Sequence, residues 1–277
     1  MSGQTSCIHM SLYLLIKNVD SPHGQLRLVY SGKLDQNTLP EYNIGIMNRD
    51  ILKEIKRYEN KEKASHLSRF FKTGKGQYAE GDLFIGLNVP TTRMIAKSFY
   101  KTTQICELQE LISNQFHEVR LCALFMMVLK FQKTDAKEQK QIYELYKGNI
   151  RYINNWDLVD LSAPQIVGRY LYKDPAELWE YAQTNHLWSQ RISIIATFYH
   201  IKNKVYQPTF ELSEYFLTHK HDLIHKATGW MLREAGKRDI NVLYDFLNKH
   251  NKTMPRTMLR YAIEKLSPEE RKFYMTK

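Results

Sequence analysis

Asn154-Asn155-Trp156-Asp157-Leu158-Val159-Asp160-Leu161-Ser162-Ala163 puts one indole and two carboxylates into little more than a helical turn. Trp156 and Asp160 are four residues apart, so a helix stacks them on one face. Asp157 then points about 100° away from Trp156 and reads as structural. Taken alone, the stretch is an ordinary helix start. An asparagine caps it, an aspartate suits the helix dipole, and a tryptophan packs.

Its place in the chain gives it more weight. From about residue 104 onward, helix pairs recur whose second helix opens on a basic or aromatic residue. The openings are His117-Glu-Val-Arg120-Leu, Leu187-Trp-Ser-Gln-Arg191-Ile, Leu223-Ile-His-Lys226-Ala and Met254-Pro-Arg256-Thr. The spacing is one or two units of roughly 35 residues, and Trp156 falls halfway between Arg120 and Arg191. The quoted stretch is therefore the missing member of the series. Apolar positions at helical spacing (Leu121, Leu124, Phe125, Val128; Ile192, Ile195, Ala196, Tyr199) fit burial between stacked helices. These features predict an all-α chain, a right-handed α-solenoid of HEAT-like helix pairs with a basic concave face. Arg120, Trp156, Arg191, Lys226 and Arg256 are expected in a row along that face. Asp160 and Trp230 lie one turn further on.

Composition narrows the partners. The 277 residues carry a formal charge of +11, spread along helices with no long Lys/Arg run, which favours a polyanion and nucleic acid first. No apolar run approaches the roughly 18 residues of a membrane span, and no secretion signal is expected at the N-terminus. Cys7, Cys106 and Cys122 are scattered without CxxC spacing. They read as reduced thiols of a cytosolic protein, with Cys122 a core filler. His219, His221 and His225 are crowded but lack the cysteine or carboxylate set of a metal site, so no metal is expected.

Residues 1–46 contain Ser-Pro-His-Gly and Leu-Pro and show no helical period. They read as an extension, weakly strand-forming or disordered, or as residues ahead of a start at Met47. The second domain is residues 47–277. Within it Asn48 is expected to cap one long charged helix over residues 49–71, followed by a loop, Lys72-Thr-Gly-Lys-Gly-Gln-Tyr-Ala-Glu-Gly81. Gly74-x-Gly76 there neither follows a strand nor opens a helix and is weak evidence for a phosphate loop. Leu83-Phe-Ile-Gly-Leu-Asn-Val-Pro90 is a short apolar segment. After it Thr91 or Thr92 is expected to cap a helix over residues 93–102.

Leu83 to Pro90, Asn155-Trp-Asp-Leu-Val-Asp160, Leu187-Trp-Ser-Gln-Arg-Ile-Ser-Ile194, Lys226-Ala-Thr-Gly-Trp-Met-Leu-Arg-Glu234 and Met254-Pro-Arg256, in this order along the chain, resemble the HEAT-like-repeat DNA alkylation repair proteins, the AlkD-type DNA glycosylases. The resemblance runs from about residue 48 to the C-terminus. It implies a monofunctional, monomeric, cofactor-free glycosylase that removes N3-methyladenine and N7-methylguanine from double-stranded DNA, in relatives understood to act without flipping the base. It also implies Asp160 as the catalytic carboxylate, Trp156 and Trp230 as cleft tryptophans and Arg191 as the DNA-holding arginine. Lys226, Arg233, Arg256 and Arg120 are expected phosphate contacts, with Arg93 and Lys97 as weaker ones.

Each reading has a plainer rival. Asp160 could be a solvated or capping residue, the tryptophans core aromatics, Arg191 a bridge between repeats, and the other cations a solvated face. Trp179 and Trp188 read as packing residues. For the whole chain the rivals are a DNA-structure-binding protein without activity and a protein–protein scaffold. The glycosylase reading makes one structural demand. Asp160 must not be buried away from the cleft or neutralised in a tight ion pair.

Overall fold

A computed structural model describes residues 44–276, and the expectation for residues 1–46 lies almost wholly outside them. Among the described residues the chain is an α-solenoid of helix pairs with fourteen α-helices. In chain order these are α1 (Ile44–Lys56), α2 (Lys61–Phe70), α3 (Val89–Phe99), α4 (Ile105–Ile112), α5 (His117–Phe131), α6 (Ala136–Gly148) and α7 (Trp156–Ser162). The second half comprises α8 (Glu177–Ala182), α9 (Leu187–Lys202), α10 (Gln207–Tyr215), α11 (Asp222–Gly236), α12 (Ile240–His250), α13 (Arg256–Ala262) and α14 (Pro268–Met275). None of the helices is long and apolar enough to cross a membrane.

The order of packing repeats the order of the sequence. α3, α5, α7, α9, α11 and α13 pack in succession as a central row, with α4 and α6 against α5, α8 and α10 against α9, and α12 against α11. α5 and α9 are buried on almost every side, as helices apolar around their whole circumference must be. Two glycines set how closely the row stacks. A Cβ on Gly168 would stand 2.1 Å from the Ala196 carbonyl oxygen, and one on Gly229 would stand 2.3 Å from that of Met258.

Local chemistry explains where the helices begin, and it corrects three expectations. Asn48 does not cap a helix. It lies inside α1, buried, with its amide donating to Glu110 at 2.6 Å. The long helix over residues 49–71 is two helices, because the Asn60 amide donates to the Ile85 carbonyl (2.9 Å) and its side chain accepts from Lys63 N–H (2.9 Å), capping α2. α3 is capped by Asn88, which accepts from Thr91 N–H at 2.8 Å, with Pro90 in the first turn where no donor is needed. The apolar segment before it is extended. Its Ile85, Gly86 and Leu87 amides all donate to the buried Glu118 carboxylate at 2.8–3.2 Å.

Candidate functional site

Asn155 opens α7, its side chain accepting from Trp156 N–H at 2.8 Å. Trp156 and Asp160 then share a face, while Asp157 turns inward and is buried, with one oxygen 2.8 Å from His117 Nε2. Trp156 is half-buried. Its ring stacks on Phe71 at 5.3 Å, and the exposed Phe70 meets it edge-on at 6.1 Å.

Asp160 does not meet the demand that the sequence reading placed on it. Its two oxygens accept from Arg191 Nε at 2.9 Å and Nη2 at 2.7 Å, a bidentate ion pair. The third arm of the guanidinium, Nη1, donates to the Leu223 carbonyl at 2.6 Å. Arg191 thus joins α7, α9 and the start of α11, and its side chain is 5% exposed against 11% for Asp160. The reason is physical. A carboxylate so nearly closed off from water needs a counter-charge, and one repeat downstream an arginine stands in the matching register. Burial pushes the Asp160 carboxyl above its usual range, and Arg191 opposes that push. The expected DNA-holding arginine is, in this structure, the partner of the expected catalytic carboxylate.

A residue that sequence reasoning missed completes this corner. The loop over residues 72–82 carries Tyr78 against Trp188, ring to ring at 5.8 Å. Burial raises the Tyr78 pKa, while its hydroxyl meets the Trp156 indole N–H and lies in the field of Lys226 and Arg191. Tyr78 therefore draws together residues from α7, α9 and α11. The only sequence signal was an aromatic in a glycine-rich loop; its position in space depends on pairings distant in the chain.

Trp230 is half-buried on α11. It leans on Phe198 at 6.3 Å, and its indole N–H donates to Glu234 at 3.3 Å. Lys226, about 40% exposed, is paired with Asp222 at 2.8 Å. Arg233 is paired with Glu264, and Arg256 donates to the Met275 carbonyl at 3.0 Å, tying α13 to α14. Arg93 and Lys97 are exposed on α3, with the Arg93 guanidinium 4.2 Å from the centre of the Phe125 ring.

Arg120 needs a correction. It was expected in the basic row but is buried, donating to Asp82 at 2.7 Å, to Asn154 at 3.0 Å and to the Asn114 carbonyl at 2.9 Å. The loop that brings Tyr78 also brings Asp82, and a buried carboxylate recruits the nearest guanidinium. Trp188 is buried as a packing residue, and so is Cys122 in the core. The crowded histidines are engaged in hydrogen bonds: His219 with Gln190 at 3.0 Å, and His225 to the His219 carbonyl at 2.6 Å.

Comparison with known proteins agrees with this architecture. The family described as DNA alkylation repair enzyme matches residues 51–266. Among solved structures, a predicted DNA alkylation repair enzyme from Enterococcus faecalis superposes with a TM-score of 0.61 at 17% identity, over 76% of this chain and 97% of its own. At that identity the likeness concerns the fold. No curated protein matches. With the repeat, the motif order and more than half of the chain in agreement, this protein belongs to the DNA alkylation repair enzyme family.

Proposed function

We propose that the protein is a DNA glycosylase. It hydrolyses the N-glycosidic bond of cationic alkylpurines, N3-methyladenine and N7-methylguanine, in duplex DNA. The observation that carries this reading is the juxtaposition of Asp160, Arg191, Trp156 and Tyr78 at one corner of the central row.

Breaking an N-glycosidic bond builds positive charge on the sugar, which a fixed carboxylate stabilises. Glycoside cleavage also calls for an acid to protonate the leaving group, but a cationic alkylpurine already departs as a neutral base. One carboxylate, which also positions the water, is then sufficient. An unpaired carboxylate about 4 Å from the developing charge, at an effective dielectric near ~20, is worth up to about 4 kcal/mol, or about a thousandfold in rate. Each indole face adds about 0.5–2 kcal/mol of preference for a cationic nucleotide.

The bidentate pair alters the mechanism. A neutral ion pair stabilises a neighbouring cation far less than a bare carboxylate does. Catalysis on this reading therefore requires a DNA phosphate to draw the Arg191 guanidinium toward itself, since phosphate oxygens accept the same two-pronged contact. Arg191 then holds DNA, and Asp160 is released toward the sugar. The same pair also favours a second reading, in which Asp160 and Arg191 are purely a bridge between repeats and the protein binds DNA without cutting it.

Release of methylated bases from alkylated duplex DNA, with DNA binding followed in parallel, separates the two. The glycosylase reading expects Asp160→Asn to bind DNA as the wild type does and to release 7-methylguanine at least about tenfold more slowly. Binding without release by the wild type would establish the second reading, whereas equal release by both proteins would remove Asp160 from the chemistry.

A further inference from the structure

Behind Trp156 lies a closed group of charges that the cleavage chemistry does not use. His117, the first residue of α5, is 2% exposed. Its Nε2 is 2.8 Å from an Asp157 oxygen and its Nδ1 is 3.4 Å from an Asp82 oxygen. A neutral imidazole has a single N–H, so only the protonated ring can donate toward both carboxylates. Asp82 also accepts from Arg120 at 2.7 Å and from Asn154 at 2.8 Å. Two carboxylates then face one guanidinium and one imidazolium, and the group is neutral only while His117 is charged. Glu118, the neighbour of His117 on α5, is occupied with the Ile85, Gly86 and Leu87 amides.

These contacts reach three supports of the candidate site. Asp82 ends the loop that carries Tyr78. Asp157 lies in the first turn of α7, beside Trp156. The His117 ring also stacks on Phe84 at 4.7 Å and on Phe71 at 5.0 Å, and Phe71 in turn carries Trp156. We propose that His117 is a positioning residue of this site, its ring clamping the loop that carries Tyr78 to the turn that carries Trp156 and Asp160. Its effect on rate rests on the glycosylase reading, whereas its effect on Trp156 does not. Burial alone would lower the His117 pKa, but the Asp157 charge and hydrogen bond and the contact with Asp82 overcome this and raise it to about 9, Arg120 opposing. The clamp is closed at neutral pH and opens in alkali.

The test uses the full chain and follows single-turnover base release and tryptophan emission with rising pH. Trp156→Phe supplies the background that isolates the Trp156 signal. In the wild type, the rate and the Trp156 emission should change together with a midpoint near pH 9. His117→Gln should show no such transition and, at neutral pH, at least about a tenfold lower rate with nearly unchanged DNA affinity. A His117→Gln protein with the rate, emission and pH profile of the wild type overturns the proposal. So does a wild-type emission transition that is absent, or that persists in Trp156→Phe. If the wild type releases no base at any pH, the glycosylase reading falls and the emission transition alone judges the clamp. If His117→Gln does not fold, the wild-type and Trp156→Phe titrations still decide.

Discussion

Trp156 rests on Phe71, and behind that ring His117, Asp82, Asp157 and Arg120 are closed off from water. Trp230 leans on Phe198, and its indole N–H reaches Glu234, which Lys237 (2.8 Å) and Arg238 (3.3 Å) hold. Both foundations are buried carboxylates paired with cations, and the difference lies in the cations. The cations behind Trp156 are almost wholly buried, whereas the side chains of Lys237 and Arg238 are 48% and 26% exposed. An attraction that water and salt weaken on the second side acts at short range and nearly unscreened on the first. On the first side, removing the carboxylate strands buried cations, whereas on the second Lys237 and Arg238 can turn to water. The support behind Trp156 is therefore expected to be the rigid one and the support behind Trp230 the adjustable one.

Three measurements break or sharpen this contrast. The largest effect is expected from Asp82→Ala, which strips Arg120, His117 and Asn154 of a shared acceptor. Loss of one partner from a buried pair costs about 3–5 kcal/mol, read as a lower denaturant midpoint. A loss under about 1 kcal/mol would mean that water reaches the group and would remove the distinction between the two supports.

Next comes pH. The folded His117 pKa of about 9 lies above the ordinary 6.5, so the folded state binds this proton more tightly than the unfolded chain does. That stabilisation is fully present below pH 6.5 and is lost as pH rises through about 9, amounting to about 3 kcal/mol. Chemical denaturation at a series of pH values should show the decline in the wild type and a flatter profile in His117→Gln. The smallest effect belongs to Glu234→Gln, at less than about 1 kcal/mol. Its Trp230 emission should respond to salt less than that of the wild type, because the screened ion pairs are gone.

The solenoid was legible in the chain because each repeat is local. Caps, apolar spacing and the basic or aromatic residue at each second helix all fall within one unit of about 35 residues. The face shared by Trp156 and Asp160 follows from their separation of four, and the inward turn of Asp157 from its separation of one. The partners were not legible. Asp82 meets His117 across 35 residues and Asp157 meets His117 across 40, and nothing in either neighbourhood announces the other. Arg120 and Arg191 hold the place in the repeat where a DNA contact was expected, yet each is spent on a carboxylate. A charge pattern says which helix carries a cation, but not whether its head group reaches solvent.

By itself, then, the sequence determined the all-α repeat, the order of its units, the family and the helix face on which Trp156 and Asp160 stand, since each helix depends on neighbours one or two turns away and the repeat and family on the order in which such local motifs recur. Only the tertiary structure decided that Arg191 closes on Asp160, that Arg120 is buried, and that Tyr78 and His117 lie beside and behind Trp156. Those outcomes depend on which surfaces the packing of the central row excludes from water, and desolvation, which sets whether a charge must find a partner, is a property of the assembled fold.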